Sequence, residues 1–141
     1  MFIQDTTASQ QPYINASVAC CKDVCIALQA SGELDKDKGL RMAVIAFRDY
    51  CDTDRYVTQD FNGFTYDVNT IQSNLSRLEA AGGGDLPEAV TTALGETLRF
   101  KWRDDAAKVA ILITDAPPHG IGEKGDTYQY GEPNRMLQLS V

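Results

Sequence analysis

Two apolar runs far apart in the chain end in the same way. Met1-Phe2-Ile3 leads into Asp5-Thr6-Thr7-Ala8-Ser9, and Ile111-Leu112-Ile113-Thr114 leads into Asp115. Each run reads as a buried strand with an aspartate at its carboxyl end. Between them the apolar period alternates between helix and strand, so the strands must be largely parallel and joined by helical crossovers. Neighbouring parallel strands present their carboxyl ends on one sheet edge, where open α/β folds bind ligands. Two carboxylates and two hydroxyls gathered there form an all-oxygen site of the kind that suits a hard dication such as Mg²⁺.

The intervening elements follow from periodicity. Ile14, Val18, Cys21, Cys25 and Leu28 recur at helical spacing, predicting a helix from Pro12 to Ala30 that Ser31-Gly32 ends. Glu33 to Gly39 reads as a charged loop. Leu40 to Phe47 is nearly all apolar, as in a strand covered on both faces. Arg48 to Arg55 is a polar turn, and Tyr56 to Phe61 an edge strand, antiparallel because the connection is short. Val68, Ile71, Leu75 and Leu78 mark a second helix, broken by Ala81-Gly82-Gly83-Gly84. Asp85 is placed to cap a third helix running to Trp102, with Glu88 completing a capping box. Val109 to Thr114 is the strongest strand signal. Ala116 to Gly131 is a loop, and Pro133 to Leu139 opens a last helix. The expected fold is a three-layer α/β/α sandwich around a mostly parallel, doubly wound sheet with one antiparallel edge strand. No repeat or linker divides the 141 residues, which read as one domain.

Composition removes several function classes. The formal net charge of −7, without a Lys/Arg cluster, would repel a nucleic-acid backbone. No stretch approaches the roughly 20 apolar residues of a membrane helix, and no signal peptide is visible. Cys20, Cys21 and Cys25 crowd one helix and Cys51 stands apart. They lack a second Cys/His pair at zinc-site spacing and read as small buried hydrophobes. Free thiols fit a reducing, cytoplasmic compartment. The sequons at Asn15 and Asn74 fall inside expected helices and read as chance matches. The single histidine, His119, reads as a loop residue, and Trp102, Phe61, Phe64 and Tyr66 as core or cover.

Asp5, Thr7 and Ser9, then Asp85-Leu86-Pro87-Glu88 after the glycine run, then Asp115, resemble the von Willebrand factor A domain, also called the integrin I domain. Its signature is D-x-[ST]-x-S after the first strand, a glycine-rich middle loop with a threonine or acidic residue, and an aspartate after the fourth strand. Asp85-Leu86-Pro87-Glu88 is similar to the D-x-P-E turn of integrin β-subunit domains. Asp115-Ala116-Pro117-Pro118-His119-Gly120 is similar to intracellular A domains of atypical kinase-associated and uncharacterised eukaryotic proteins. Family members carry further strands and helices after the fourth strand, so this chain resembles a C-terminally shortened A domain spanning 1–141.

The resemblance implies a metal-ion-dependent adhesion site. Asp5, Thr7, Ser9 and Asp115 would hold Mg²⁺ or Mn²⁺, with Asp85 or Glu88 as the middle ligand. A partner protein's Asp or Glu carboxylate would take the open position. This implies a non-catalytic protein-binding module with no nucleic acid or membrane partner. Other readings stay open. Asp5 to Ser9 also suits a helix cap, Asp85 and Glu88 a capping box alone, and Asp115 an ordinary turn. Asp5 could serve as the nucleophile of a Mg²⁺-dependent phosphoryl-transfer or hydrolytic domain, though Thr7 stands where the haloacid-dehalogenase pattern has a second aspartate and no Walker-type loop is present. A metal-free fragment with a degenerate site is the third reading.

Overall fold

The structure, a computed structural model, describes residues 1–32, 39–50 and 56–133. The expected helix over 133–139, apart from Pro133, and most of the charged loop after Gly32 therefore lie outside the described residues, as does the part of the expected Arg48 to Arg55 turn from Cys51 on. The described chain is an α/β fold with four strands and three α-helices. Its elements are β1 (Phe2–Asp5), α1 (Ile14–Ala30), β2 (Val44–Phe47), β3 (Thr58–Asp60), α2 (Val68–Ser76), α3 (Val90–Glu96) and β4 (Ile111–Ile113). Single 3₁₀ turns cover Ala8–Gln10 and Thr97–Arg99.

The strands form one mixed sheet in the order β3-β2-β1-β4. β1 is parallel to both β2 and β4, and β3 is antiparallel to β2, as the short connection requires. Ile3 lies opposite Ile45 on one side and Leu112 on the other. The chain leaves β1 for β2 and later returns to its opposite flank with β4. Such a reversal of strand order opens a crevice beyond the carboxyl ends.

Alternation along the central strands divides the core. Phe2, Val44 and Ala46 belong to a cluster with Ile14, Cys21 and Cys25 of α1 and Ile71 and Leu75 of α2. Ile3, Ile45 and Phe47 belong to another with Val90 and Ala93 of α3, edged by Phe64, Phe100 and Trp102. β1 and β2 are thus buried on both faces, which is why Phe2, Ile3 and all of β2 are apolar. Each fully buried Ile or Leu contributes about 1.5–3 kcal/mol by leaving water. Cys21 and Cys25 are buried members of the first cluster, and burial pushes the Cys21 thiol up to about 11. Cys20 is exposed. Tyr66 is 46% exposed, with the Arg41 guanidinium over its ring. Asn74 is buried and donates from Nδ2 to the Phe61 carbonyl, 3.3 Å.

Several boundaries depart from the sequence pattern. The strand expected from Leu40 begins only at Val44, although Met42 makes an isolated antiparallel bridge to Thr65. The strand expected over Val109 to Thr114 spans Ile111–Ile113. Among the described residues it pairs on one side only, and Ile111 and Leu112 are 38% and 39% exposed. The capping box at Asp85 and Glu88 does not form. α3 starts at Val90, and its cap position, Ala89, has no hydrogen-bonding side chain to offer. Glu88 instead donates its N–H to the Pro117 carbonyl, and Ala89 donates to that of Arg48. These bonds join three loops above the sheet, and a helical turn there would break them. The exposed amides of α3 are met from a distance. The buried carboxylate of Glu132 accepts from Thr91 N at 2.8 Å and Thr92 N at 2.6 Å. α2 is capped locally, by Asp67 accepting from Asn69 N and Thr70 N.

Candidate functional site

Asp5 ends β1 with no exposure. Its Oδ1 accepts from Thr7 N at 2.9 Å and Thr7 Oγ1 at 2.7 Å, and its Oδ2 accepts from Thr114 Oγ1 at 2.7 Å. Asp115, one residue further on, accepts at Oδ1 from Ser9 Oγ at 3.1 Å and Gln10 Nε2 at 2.7 Å. Thr7 Oγ1 and Ser9 Oγ lie 3.2 Å apart. The side-chain oxygens of Asp5, Thr7, Ser9 and Asp115 therefore form one continuous set. Asp5 and Thr7 are its buried floor, and Ser9 and Asp115 its exposed rim.

Burial pushes the Asp5 carboxyl above its ordinary value, and the charge of Asp115 adds to this; hydrogen bonds from Thr7 and Thr114 only partly offset it. The cluster thus concentrates negative charge at little exposure, a cost that a cation relieves. The oxygen spacings fit one. Ligands about 2.1 Å from Mg²⁺ in an octahedron stand about 3 Å apart along each edge, close to the separations here.

The glycine loop is tied to the Asp5 loop by two backbone bonds, Ala8 N to Gly82 O at 2.9 Å and Ala81 N to Thr6 O at 3.0 Å. Gly83 has φ +90°, and a Cβ there would stand 3.2 Å from Glu88 Oε1 and 3.3 Å from Thr7 Cβ. The missing side chain is what leaves room for the Glu88 carboxylate and Thr7 to flank Gly83. Glu88 is buried.

Asp85 goes elsewhere. Together with Asp49 and His119 it forms a group whose ligand atoms all lie within 4.8 Å of one another, and which could hold a metal ion. His119 is buried, with Nε2 2.7 Å from Asp49 Oδ1 and Nδ1 2.7 Å from Asp126 Oδ1. Asp126 also accepts from Gly120 N and Tyr128 N, each at 2.7 Å. Burial works against a charged His119 ring, but the hydrogen bonds to Asp126 and Asp49 outweigh it and raise its pKa. For Asp126, burial is outweighed by the Gly120 amide and His119, which hold its carboxyl below the usual range. Asp85 Oδ2 accepts from Thr127 N at 2.7 Å.

Of the six residues singled out from the sequence, five meet around Thr7 and the sixth, Asp85, joins the second group. Gln10, Thr114, Asp49, His119 and Asp126 were not anticipated. Asp49 carried a readable signal, because it closely follows Phe47 at the carboxyl end of β2, just as Asp5 and Asp115 close their own strands. His119 lies in a turn of the loop after β4, as expected, but it is buried there between Asp49 and Asp126. Around them, Leu86, Ile121 and Tyr130 are exposed at 58%, 61% and 89%.

No family model matches the chain. Over 138 residues, 95% of its length, it is 30% identical to the alpha-protein kinase vwkA of Dictyostelium discoideum, of which it covers 21%. Over 88 residues, 60% of its length, it is 33% identical to an ariadne-like RING finger protein of Acanthamoeba polyphaga mimivirus, of which it covers 8%. The chain is thus similar to one segment in each of two larger proteins, and spans about a fifth of the first.

Proposed function

We propose that the chain is a von Willebrand factor A-like domain, a three-layer α/β/α sandwich, acting as a non-catalytic protein-binding module through a metal-ion-dependent adhesion site. The observation that carries this reading is the continuous oxygen set of Asp5, Thr7, Ser9 and Asp115, joined at 2.7–3.2 Å across the ends of β1 and β4. These four residues would hold Mg²⁺ or Mn²⁺, and the place of Glu88 beside Gly83 and Thr7 favours it over Asp85 as the middle ligand. Bound there, the cation would supply an open coordination position for a carboxylate of an otherwise repelled acidic partner.

The chain's own residues support binding over catalysis. Asp5 is fully buried at the floor of the oxygen set, a place that suits holding a cation better than meeting a substrate as a nucleophile does. Ser9 and Asp115 stand at the surface, and exposed Leu86, Ile121 and Tyr130 offer apolar contacts for a protein partner. The kinase named among the relatives is a protein of which this chain matches a fifth, so its activity is not carried over. No helix among the described residues is long and apolar enough to cross a membrane. Free Cys20, Cys21 and Cys25 favour a cytoplasmic setting.

Mn²⁺ binding followed by water-proton relaxation tests the proposal. Bound Mn²⁺ with an open position should enhance relaxation, and acetate, the simplest carboxylate, should lower the enhancement by displacing water. Asp5→Asn and Asp115→Asn should each weaken Mn²⁺ binding at least tenfold. Failure of the folded wild-type chain to bind Mn²⁺ or Mg²⁺ at millimolar concentration would overturn the reading.

A further inference from the structure

We propose that Asp49, Asp85 and His119 form a second metal site, distinct from the Asp5 centre and suited to a borderline transition-metal dication such as Zn²⁺, with Asp126 as the carboxylate that orients the histidine ring. The three ligating residues come from the end of β2, the glycine loop and the loop after β4, and are brought within 4.8 Å. An imidazole with two carboxylates is a donor set that Zn²⁺ accepts and that Mg²⁺ seldom takes.

A metal at Nε2 would fix the tautomer. The Asp126 carboxylate, which also accepts from Gly120 N and Tyr128 N, would then accept from His119 Nδ1–H. Nε2 is then the nitrogen that faces Asp49. A carboxylate holding Nδ1–H while Nε2 is offered elsewhere is the arrangement that supports metal-bound histidines. The ring is held further by the edge of Tyr128, whose centroid lies 5.1 Å away.

Independent of the clustering, two buried oxygens of the same group have no hydrogen-bond partner among the described residues: Asp49 Oδ2 and Asp85 Oδ1. Asp49 is 1% exposed, so bulk solvent does not reach it. Its other oxygen is taken by Tyr50 N and His119, and that of Asp85 by Thr127 N. An unsatisfied buried carboxylate oxygen is costly. A protonated His119 would pair with Asp49 and Asp126 but leave both orphan oxygens and an excess of carboxylates over cations. A dication contacts the orphans and offsets more of the charge. Zn²⁺ ligands about 2.0–2.2 Å from the metal sit closer together than 4.8 Å, so binding replaces the His119–Asp49 hydrogen bond by a small closure of side chains.

Because His119 is the only histidine, its ring gives an unambiguous reading. The full chain, labelled with ¹⁵N-histidine, is titrated with Zn²⁺ alone while long-range ¹H–¹⁵N correlations of the imidazole are recorded. The expected result is a metal-bound Nε2 shift saturating at one equivalent, with the Nδ1 proton retained. Asp85→Asn should weaken binding at least tenfold, and Asp126→Asn by roughly 10–100-fold. Asp5→Asn should leave it unchanged, which separates this site from the adhesion centre. Asp85 is half-buried, so its variant keeps the test alive should Asp49→Asn or Asp126→Asn fail to fold. An imidazole unmoved at millimolar Zn²⁺ would overturn the proposal, as would Zn²⁺ taken up by the α1 thiols alone or affinity unaltered in folded Asp85→Asn.

Discussion

Asp5 holds a charge that the fold resists. Burial raises its pKa, so the native state favours the protonated form more than the unfolded chain does. For a carboxyl shifted upward, ionisation costs stability as pH climbs from the ordinary aspartate value through the folded one, and the cost is complete above both. Asp5→Asn removes the charge while its amide oxygen still accepts from Thr7 N and Thr7 Oγ1. In metal-free solution at pH 7 the variant should melt at or above the wild type. That advantage should shrink below about pH 4, where wild-type Asp5 is itself protonated. Melts in chelator at both pH values check this, and a large drop in Tm at pH 7 would make the carboxylate a structural requirement. Asp5, Thr7 and Ser9 were legible in the sequence because they lie within one turn of chain after a strand. Asp49 and His119 were not, because their meeting depends on how residues 116–133 fold back, and no local period encodes that.

At the scale of elements, helix starts divide into those written locally and those supplied from afar. α2 announces itself, with Asp67 bonded to the amides two and three residues on. α3 does not. The local candidates Asp85 and Glu88 are drawn to other partners, and Glu132 closes the helix from the far end of the described chain. The sequence pattern therefore revealed the helix, its apolar Val90 and Ala93, and the order of elements along the chain, but misplaced the helix start by several residues. The carboxylate of Glu132 meets amides at the positive end of the helix in a buried setting, where charge and hydrogen bond act together. Glu132→Ala leaves those donors without it and should cost about 1–3 kcal/mol in urea unfolding. Glu132→Gln, which keeps one acceptor, should cost less. A Glu132→Ala loss below about 0.5 kcal/mol would mean that water or another group replaces the carboxylate.

For the molecule as a whole, both clusters are anchored on the same two strands, so neither can open without disturbing β1 and β2. Phe2 and Ile3 are neighbours in sequence yet sit in opposite clusters, as do Val44 and Ile45. Strain or stabilisation at the carboxyl ends of these strands is therefore shared by both faces. The ends of β1 and β4 are also joined directly, through Thr114 on Asp5 and Ser9 on Asp115. A dication held there would brace the edge pair β1–β4 and, through β1, the entire sheet. The expected outcome is one cooperative transition that moves as a unit with metal. By mass action, Mg²⁺ at a hundred times its Kd adds about 2.7 kcal/mol. For a chain of this size that corresponds to a rise in Tm on the order of 8 °C. Trp102, the only tryptophan, packs against the cluster around α3 and reports that face, while far-UV ellipticity is dominated by the longer helix α1 on the other. The two signals should coincide with and without Mg²⁺ and shift equally. If fluorescence alone moved, or the transitions separated, the faces would be uncoupled and the sheet would not transmit the metal's effect.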